Sequence, residues 1–215
     1  METRRYEQRI RAQAAAETRR RILEAVNERL REAPAEPLSV DRVARMAGVA
    51  RSTVYLIFGS RAGLFDAFGE DLLQRGGFDR LMDAVAHPDA RQALRGGIRG
   101  GVLMYAAHRD TLRVLFSMAQ LDADAVGGAV QRMEDGRAGG MAYLTGRLAD
   151  QGCLRPDVSR GEAADLLCVL TSFDTFDLLH TGRALSPDQL AARLVTTAER
   201  GLLGRSPDTV LDDER

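Results

Sequence analysis

Residues 39–58 read Ser-Val-Asp-Arg-Val-Ala-Arg-Met-Ala-Gly-Val-Ala-Arg-Ser-Thr-Val-Tyr-Leu-Ile-Phe. Ser39 suits a helix N-cap. Val40, Val43, Ala44 and Ala47 fall at i, i+3, i+4 and i+7, the apolar face of one short helix. Ala44 is small enough for a second helix to cross close by. Gly48 stands where the chain needs a left-handed residue to turn sharply. Val49 plugs the inside of that turn. A second short helix follows, with Val54, Ile57 and Phe58 on its inner face. The spacing predicts a helix-turn-helix.

The inner face leaves Arg51, Ser52 and Tyr55 pointing outward near the start of the second helix. A helix so equipped can lie in the major groove of DNA. Arg51 matches guanine O6 and N7 bidentately, and Ser52 and Thr53 can donate to a base or a phosphate. Tyr55 suits a backbone phosphate, which fixes register without reading sequence. Leu56 cannot bond a phosphate; it can touch a thymine methyl or simply pack. Ser60 caps the next helix, whose first amides with Arg61 can hold another phosphate. Ser39 joins these as a candidate DNA-facing residue.

The sequence on either side carries the same signature. Thr18-Arg-Arg-Arg-Ile-Leu-Glu-Ala-Val precedes the motif, and Gly59-Ser-Arg-Ala-Gly-Leu-Phe follows it. Over residues 17–70 the chain resembles the N-terminal domain of the tetracycline-repressor (TetR) family in order, spacing and residue type. The resemblance implies an all-α homodimer. An N-terminal three-helix DNA-binding domain with the helix-turn-helix is followed by a larger helical ligand-binding and dimerisation domain, about nine helices in total. It also implies a ligand-responsive transcription regulator that binds a palindromic operator and is released by a small effector. Repression is the expected output, with activation as the variant. The competing reading is a helical adaptor whose helix-turn-helix is vestigial.

Charge follows the same division. Residues 1–62 hold 13 Arg against 8 Asp plus Glu, a balance of +5, and the remainder carries −6 of the net −1. A basic head on an acidic body is the asymmetry expected when one end meets phosphate. In the leading segment, Arg4, Arg5, Arg9 and Arg11 either reach along the minor groove or backbone of DNA or form a solvated extension of the first helix. All 30 basic residues are Arg, which fits GC-rich codon usage.

Helix punctuation is dense and strand signals are scarce. Ser159-x-x-Glu162 and Ser186-Pro187-x-Gln189 read as capping boxes, and Gly48, Gly152, Gly182 and Gly204 as helix ends. The apolar periodicity places helices near 7–33, 40–47, 51–58, 61–77, 89–107, 109–121, 123–151, 160–181 and 187–203. The composition shift at Arg75-Gly76-Gly77 suggests domains over 1–75 and 76–205, with an acidic, disordered tail at 206–215. Gly96, Gly97, Gly100 and Gly101 lie inside a helix, where each costs roughly 1 kcal/mol against Ala. Their spacing suggests a close helix crossing.

The last two helices are the expected dimer seam. Leu166, Leu170, Phe173 and Phe176 lie on one of them and Leu190, Leu194, Ala198 and Leu202 on the other. The candidate effector pocket comprises Met104, Tyr105, His108, Phe116, Met118, Met133, Met141, Tyr143, Phe173 and Asp177, an apolar, methionine-bearing wall suited to a small hydrophobic ligand. Asp174 and Asp177 share a face that could instead meet an arginine.

No enzyme is expected. His87, His108 and His180 form no metal-ligand pair, there is no phosphate-binding glycine loop, and no Gly-x-Ser-x-Gly elbow occurs. Catalytic residues, metals and cofactors are all read as none. Two cysteines, no signal-peptide pattern and no apolar run long enough to span a bilayer point to the cytoplasm. The expected partners are double-stranded operator DNA, a second copy of the chain and the effector, with no membrane.

Overall fold

The computed structural model describes residues 2–34 and 36–204, with the side chains of residues 2–5 and 7 excepted. The tail expected at 206–215 and the side chains of Arg4 and Arg5 lie outside the described residues. The described residues are helical, with no sheet among them. In chain order the helices are α1 (Glu2–Glu32), α2 (Val40–Met46), α3 (Arg51–Phe58), α4 (Arg61–Arg75), α5 (Phe78–Val85), α6 (Ala90–Leu121), α7 (Gly128–Asp150), α8 (Arg160–Leu170), α9 (Phe173–His180) and α10 (Pro187–Leu202). A π-helical turn, Ala123–Gly127, joins α6 to α7.

The backbone divides into two compact units. The first runs through Leu72 and takes in Asp110–Arg132, while the second is Leu73–Arg109 with the chain from Met133 onward. The composition shift near residue 75 thus marks only the first of three crossings. The first unit's core includes Ile22, Val26, Leu30, Val43, Val54, Leu64, Phe65, Phe68, Leu115 and Val126, all buried. Leu115 and Val126 reach this unit from the returning segment. So does Thr111, whose hydroxyl donates to Asn27 Oδ1 at 2.9 Å.

Several expectations about the helix ends are met. Gly48 takes φ +65°, and the Gly48 and Val49 N–H groups donate to the Arg45 and Ala44 carbonyls, which is a Schellman end. Gly152 ends α7 the same way, with φ +63°. Both capping boxes are present, at Ser159/Glu162 and Ser186/Gln189. Ser39 stands at the N-cap of α2 but makes no side-chain capping bond.

The break expected between 89–107 and 109–121 is present, as a kink inside α6 at the non-helical His108 (φ −129°, ψ 20°). Other boundaries differ from expectation. The single helix expected over 160–181 is two. Thr171 Oγ1 donates to the Leu167 carbonyl, and Ser172 Oγ accepts from the Thr175 N–H and caps α9. Such local hydroxyl bonds compete with the helix ladder and divide it. Helix α5 was not expected, although Phe78, Leu81, Met82 and Val85 fall at i, i+3, i+4 and i+7. Gly182 does not take the left-handed conformation expected of a helix-ending glycine, and Ala184 does so instead, at φ 52°.

The glycine spacing in α6 has the meaning the sequence suggests. A Cβ on Gly100 would lie 2.8 Å from Leu81 Cδ1, and one on Gly97 3.2 Å from Val85 Cγ2. Helix α5 therefore lies against a notch in α6. Val85, Ala93 and Leu144 form a buried cluster there, with Leu81 and Met141 packed on it.

The stripe expected at a dimer seam is largely buried within the single chain. Leu190, Leu194, Ala198 and Leu202 are 0, 4, 0 and 1% exposed, and Phe173 and Phe176 are 3 and 1% exposed. Helix α10 packs on α8 and α9 of its own chain, so these side chains are already core and offer a partner almost no surface. The apolar residues left outward on α8 and α9 are Val169 (64% exposed) and Leu178 (68%), with Leu166 and Leu170 half-buried.

Candidate nucleic-acid interface and ligand pocket

Helix α3 is short because Ala50, in extended backbone, opens it and Gly59, at φ +74°, closes it. Val54 is its buried anchor. Ile57 and Phe58 are half-buried, with the Arg19 guanidinium 4.9 Å from the Phe58 ring centre. Inward anchoring leaves Arg51, Ser52 and Leu56 exposed, while Thr53 and Tyr55 are half-buried. Leu56 is 86% exposed, an unusual position for a leucine.

Arg51 is held at the edge of this face. Its Nη1 lies 3.2 Å from Asp41 Oδ2, its Nη2 donates to the Tyr55 hydroxyl at 3.3 Å, and its guanidinium carbon is 5.4 Å from the Tyr55 ring centre. The Tyr55 hydroxyl bond and Asp41 push the guanidinium's pKa further up, so it stays cationic. Asp41 was not singled out from sequence, because a contact ten residues away across a turn leaves no periodic signal.

At the start of α4, Ser60 Oγ accepts the Gly63 N–H at 2.9 Å, which is the capping role its position predicts. Arg61 has a partner that sequence reading missed. Its Nη1 meets Asp122 Oδ2 at 2.5 Å, and its guanidinium carbon lies 5.6 Å from the Phe65 ring centre. Arg61 Nε is buried without a hydrogen-bond partner. One turn further along α4, Asp66 pairs with Arg132. Two ion pairs thus tie α4 to the segment around the π-helical turn, all within the first unit.

The expected effector residues are spread along α6, α7 and α9. Phe116 and Met118 belong to the first unit, and the other eight to the second. Tyr143 is 53% exposed, beneath the Arg147 guanidinium. Met141 packs into the α5–α6 cluster. Met104, His108 and Met133 are half-buried.

Tyr105 and Phe173 do come together. Their ring centres are 5.5 Å apart, edge to face, and Phe176 lies 5.6 Å from Tyr105 and stacks on His180 at 5.1 Å. The Tyr105 hydroxyl donates to the Thr171 carbonyl at 3.3 Å. Burial, then the nearby Glu134, raises the Tyr105 pKa above the ordinary range, which keeps it a neutral donor. A cavity of about 20 Å³ lies beside them, lined by Ile98, Gly101, Tyr105, Thr171, Phe176 and Leu194 among others. That volume admits about one water. Asp177 is buried and accepts from Arg109 Nε at 2.6 Å and from Thr181 Oγ1 at 2.9 Å. The arginine that answers it is therefore on its own chain. Asp174 is exposed.

A larger concavity, about 920 Å³, lies in the first unit between α1 and the far half of α6. Its lining is mostly charged, including Glu24, Glu28, Arg31, Asp110 and Arg113, and not the apolar wall expected.

Taken together, a small anchored helix offering a polar outer face and a long helical body define a helix-turn-helix regulator. Residues 22–68 match the family described as bacterial regulatory proteins, tetR family. Two structures of NalD, the secondary repressor of the MexAB-OprM multidrug efflux pump in Pseudomonas aeruginosa, are similar over most of the chain. One is 24% identical with a TM-score of 0.69, covering 90% of this chain and 100% of that one. The other is 26% identical with a TM-score of 0.67, covering 88% and 98%. The ketosteroid transcriptional regulator KstR2 of Mycobacterium tuberculosis is 17% identical with a TM-score of 0.63, covering 87% and 95%. No curated protein matches the chain.

Residues 22–68 carry the match to the tetR family. Over 88–90% of the chain the fold is similar to that of the solved NalD structures. Among the described residues no helix is long and apolar enough to cross a membrane, and no cluster of three or more His, Cys, Asp or Glu could hold a metal ion.

Proposed function

We propose that this chain is a ligand-responsive repressor that binds a palindromic operator as a homodimer. The observation that carries the reading is the outer face of α3, where Arg51, Ser52 and Leu56 are exposed around an anchored Val54. Arg51 reads a guanine, Leu56 meets a thymine methyl, and Ser52 and Thr53 donate to bases or phosphate. Tyr55, Ser60 and Arg61 hold the backbone and fix register, and Ser39 lies at the edge of the same surface. Two heads about 34 Å apart then occupy successive major grooves.

The second copy docks on α8 and α9 through Val169 and Leu178, the apolar residues exposed there. Such an interface is isologous, each residue facing its symmetry mate's surface. Repression as the output is supported by the likeness to NalD, itself a repressor. The effector is small and hydrophobic and enters beside Tyr105, Phe173 and Phe176. Because the cavity there is only about 20 Å³, binding requires the aromatic cluster to part. The ligand then favours a conformation other than the one described, which is the requirement for a population shift.

The test is a fluorescence anisotropy titration of the purified protein with its own upstream DNA against a scrambled duplex, at two salt concentrations. Sequence-dependent binding with two protomers, or a multiple of two, per site is the expected result. Equal, weak and steeply salt-dependent binding to both duplexes would return the chain to the adaptor reading.

A further inference from the structure

The geometry points to Asp122 as an internal competitor of the operator phosphate for Arg61, an ion pair that holds the free protein below its full DNA affinity. This inference rests on the reading above, in which Arg61 meets the DNA backbone. Arg61 opens α4 directly after the helix-turn-helix, beside the α4 amides that can receive a phosphate. In the structure its Nη1 is instead 2.5 Å from Asp122 Oδ2, and the pair is only partly exposed, 29% for Arg61 and 34% for Asp122. The guanidinium is incompletely satisfied there, since Nε is buried with no hydrogen-bond partner. A phosphate offers several acceptor oxygens, and arginine engages such groups through two parallel bonds. A DNA phosphate can therefore take the place of the Asp122 carboxylate on the guanidinium.

Asp122 is itself held in place, because its Oδ1 caps the π-helical turn by accepting the Ala125 N–H. The carboxylate that retains Arg61 thus belongs to the segment joining α6 to α7. A shift of that segment, whatever drives it, changes how much cation the head presents to DNA. Asp66 and Arg132 make a second ion pair between the same two stretches of chain, with no residue of α3 or the α4 N-terminus involved. That pair is the internal control.

The experiment uses the full chain and a duplex selected by the protein from a randomised pool, titrated by anisotropy at several salt concentrations. Asp122→Asn keeps the capping oxygen and removes the charge. It should bind roughly two- to fivefold tighter per half-site, with the slope of log K against log salt steeper by about one phosphate contact. Arg61→Gln should bind more weakly, the double variant should match Arg61→Gln, and Asp66→Asn should leave affinity unchanged. Asp122→Ser serves if the Asn variant does not fold by circular dichroism. Unchanged or weaker binding by Asp122→Asn, with Arg61→Gln still impaired, overturns the competition while leaving the DNA contact standing. An equal gain from Asp66→Asn also overturns it, because loss of any acidic group would then suffice. If Arg61→Gln binds like wild type, the placement of Arg61 on the backbone fails, and the competition with it.

Discussion

Gly96 of α6 faces Ala84 of α5 so closely that a Cβ on the glycine would stand 2.8 Å from the alanine Cβ. Neither group can swing aside, so Gly96→Ala must separate the two helices. Overpacking of this kind costs about 1–3 kcal/mol, more than the ~1 kcal/mol that alanine returns through helix propensity. Gly101, one turn on, has nothing within 4 Å of its Cβ position. Gly101→Ala should stabilise by about 1 kcal/mol. Thermal melts should therefore move in opposite directions for the two variants.

The burial of the α10 stripe separates two kinds of leucine. Leu178→Arg alters a residue that is 68% exposed, whereas Leu194→Arg places a charge at a position that is 4% exposed. Light scattering should show Leu178→Arg as a folded monomer with weakened operator binding. Leu194→Arg should instead lose helical signal and cooperative melting, since an unpaired buried charge is strongly destabilising.

Arg51→Ala should cost about 1–3 kcal/mol of operator binding and relax base preference at one position per half-site. Tyr55→Phe should weaken selected and scrambled duplexes about equally, through loss of the phosphate bond. Loss of the hydroxyl also frees Arg51 from one partner while keeping the ring beneath it, so base preference at the Arg51 position should persist. Titration of both variants against single-base operator changes checks this pair.

Glu162 gives a pH signature. Hydrogen bonds from the Ser159 side chain and backbone hold its carboxyl below the ordinary 4.5. A carboxylate with a depressed folded-state pKa contributes stability that is fully present above 4.5 and is lost as pH falls through the folded value. Glu162→Gln keeps an acceptor for the capping box without the charge. Wild type should therefore lose melting temperature relative to Glu162→Gln as pH drops below 4.5, and the difference between them should be flat at neutral pH.

Much of this molecule could be read from local pattern. The turn at Gly48, both capping boxes and the break in α6 at His108 depend on residues within a few positions of each other, and each left a mark in the sequence. The division of α8 from α9 also had a local signal, the Thr171-Ser172 pair with Thr175, but apolar periodicity masked it. The partners of Arg61 and Asp177 lie 61 and 68 residues away, and no periodicity encodes such distances. The α10 stripe is ambiguous for a related reason. A leucine row shows which side of a helix is buried, but not whether the chain's own helices or a second subunit bury it.

The composition of the head unit also bears on how the protein is made. Its core is completed by Leu112, Leu115 and Val126, and Thr111 bonds to Asn27 across it. A ribosome that has finished residue 72 has therefore not yet supplied the material the head needs. About sixty further residues must emerge, which at ~5–20 residues per second is roughly 3–12 s of exposed apolar surface. The same dependence predicts that residues 1–75, excised, would not fold as a free-standing DNA reader. Cut there, the fragment would carry a recognition helix on a core with an open side, and would be a client for chaperones before it was a ligand for DNA.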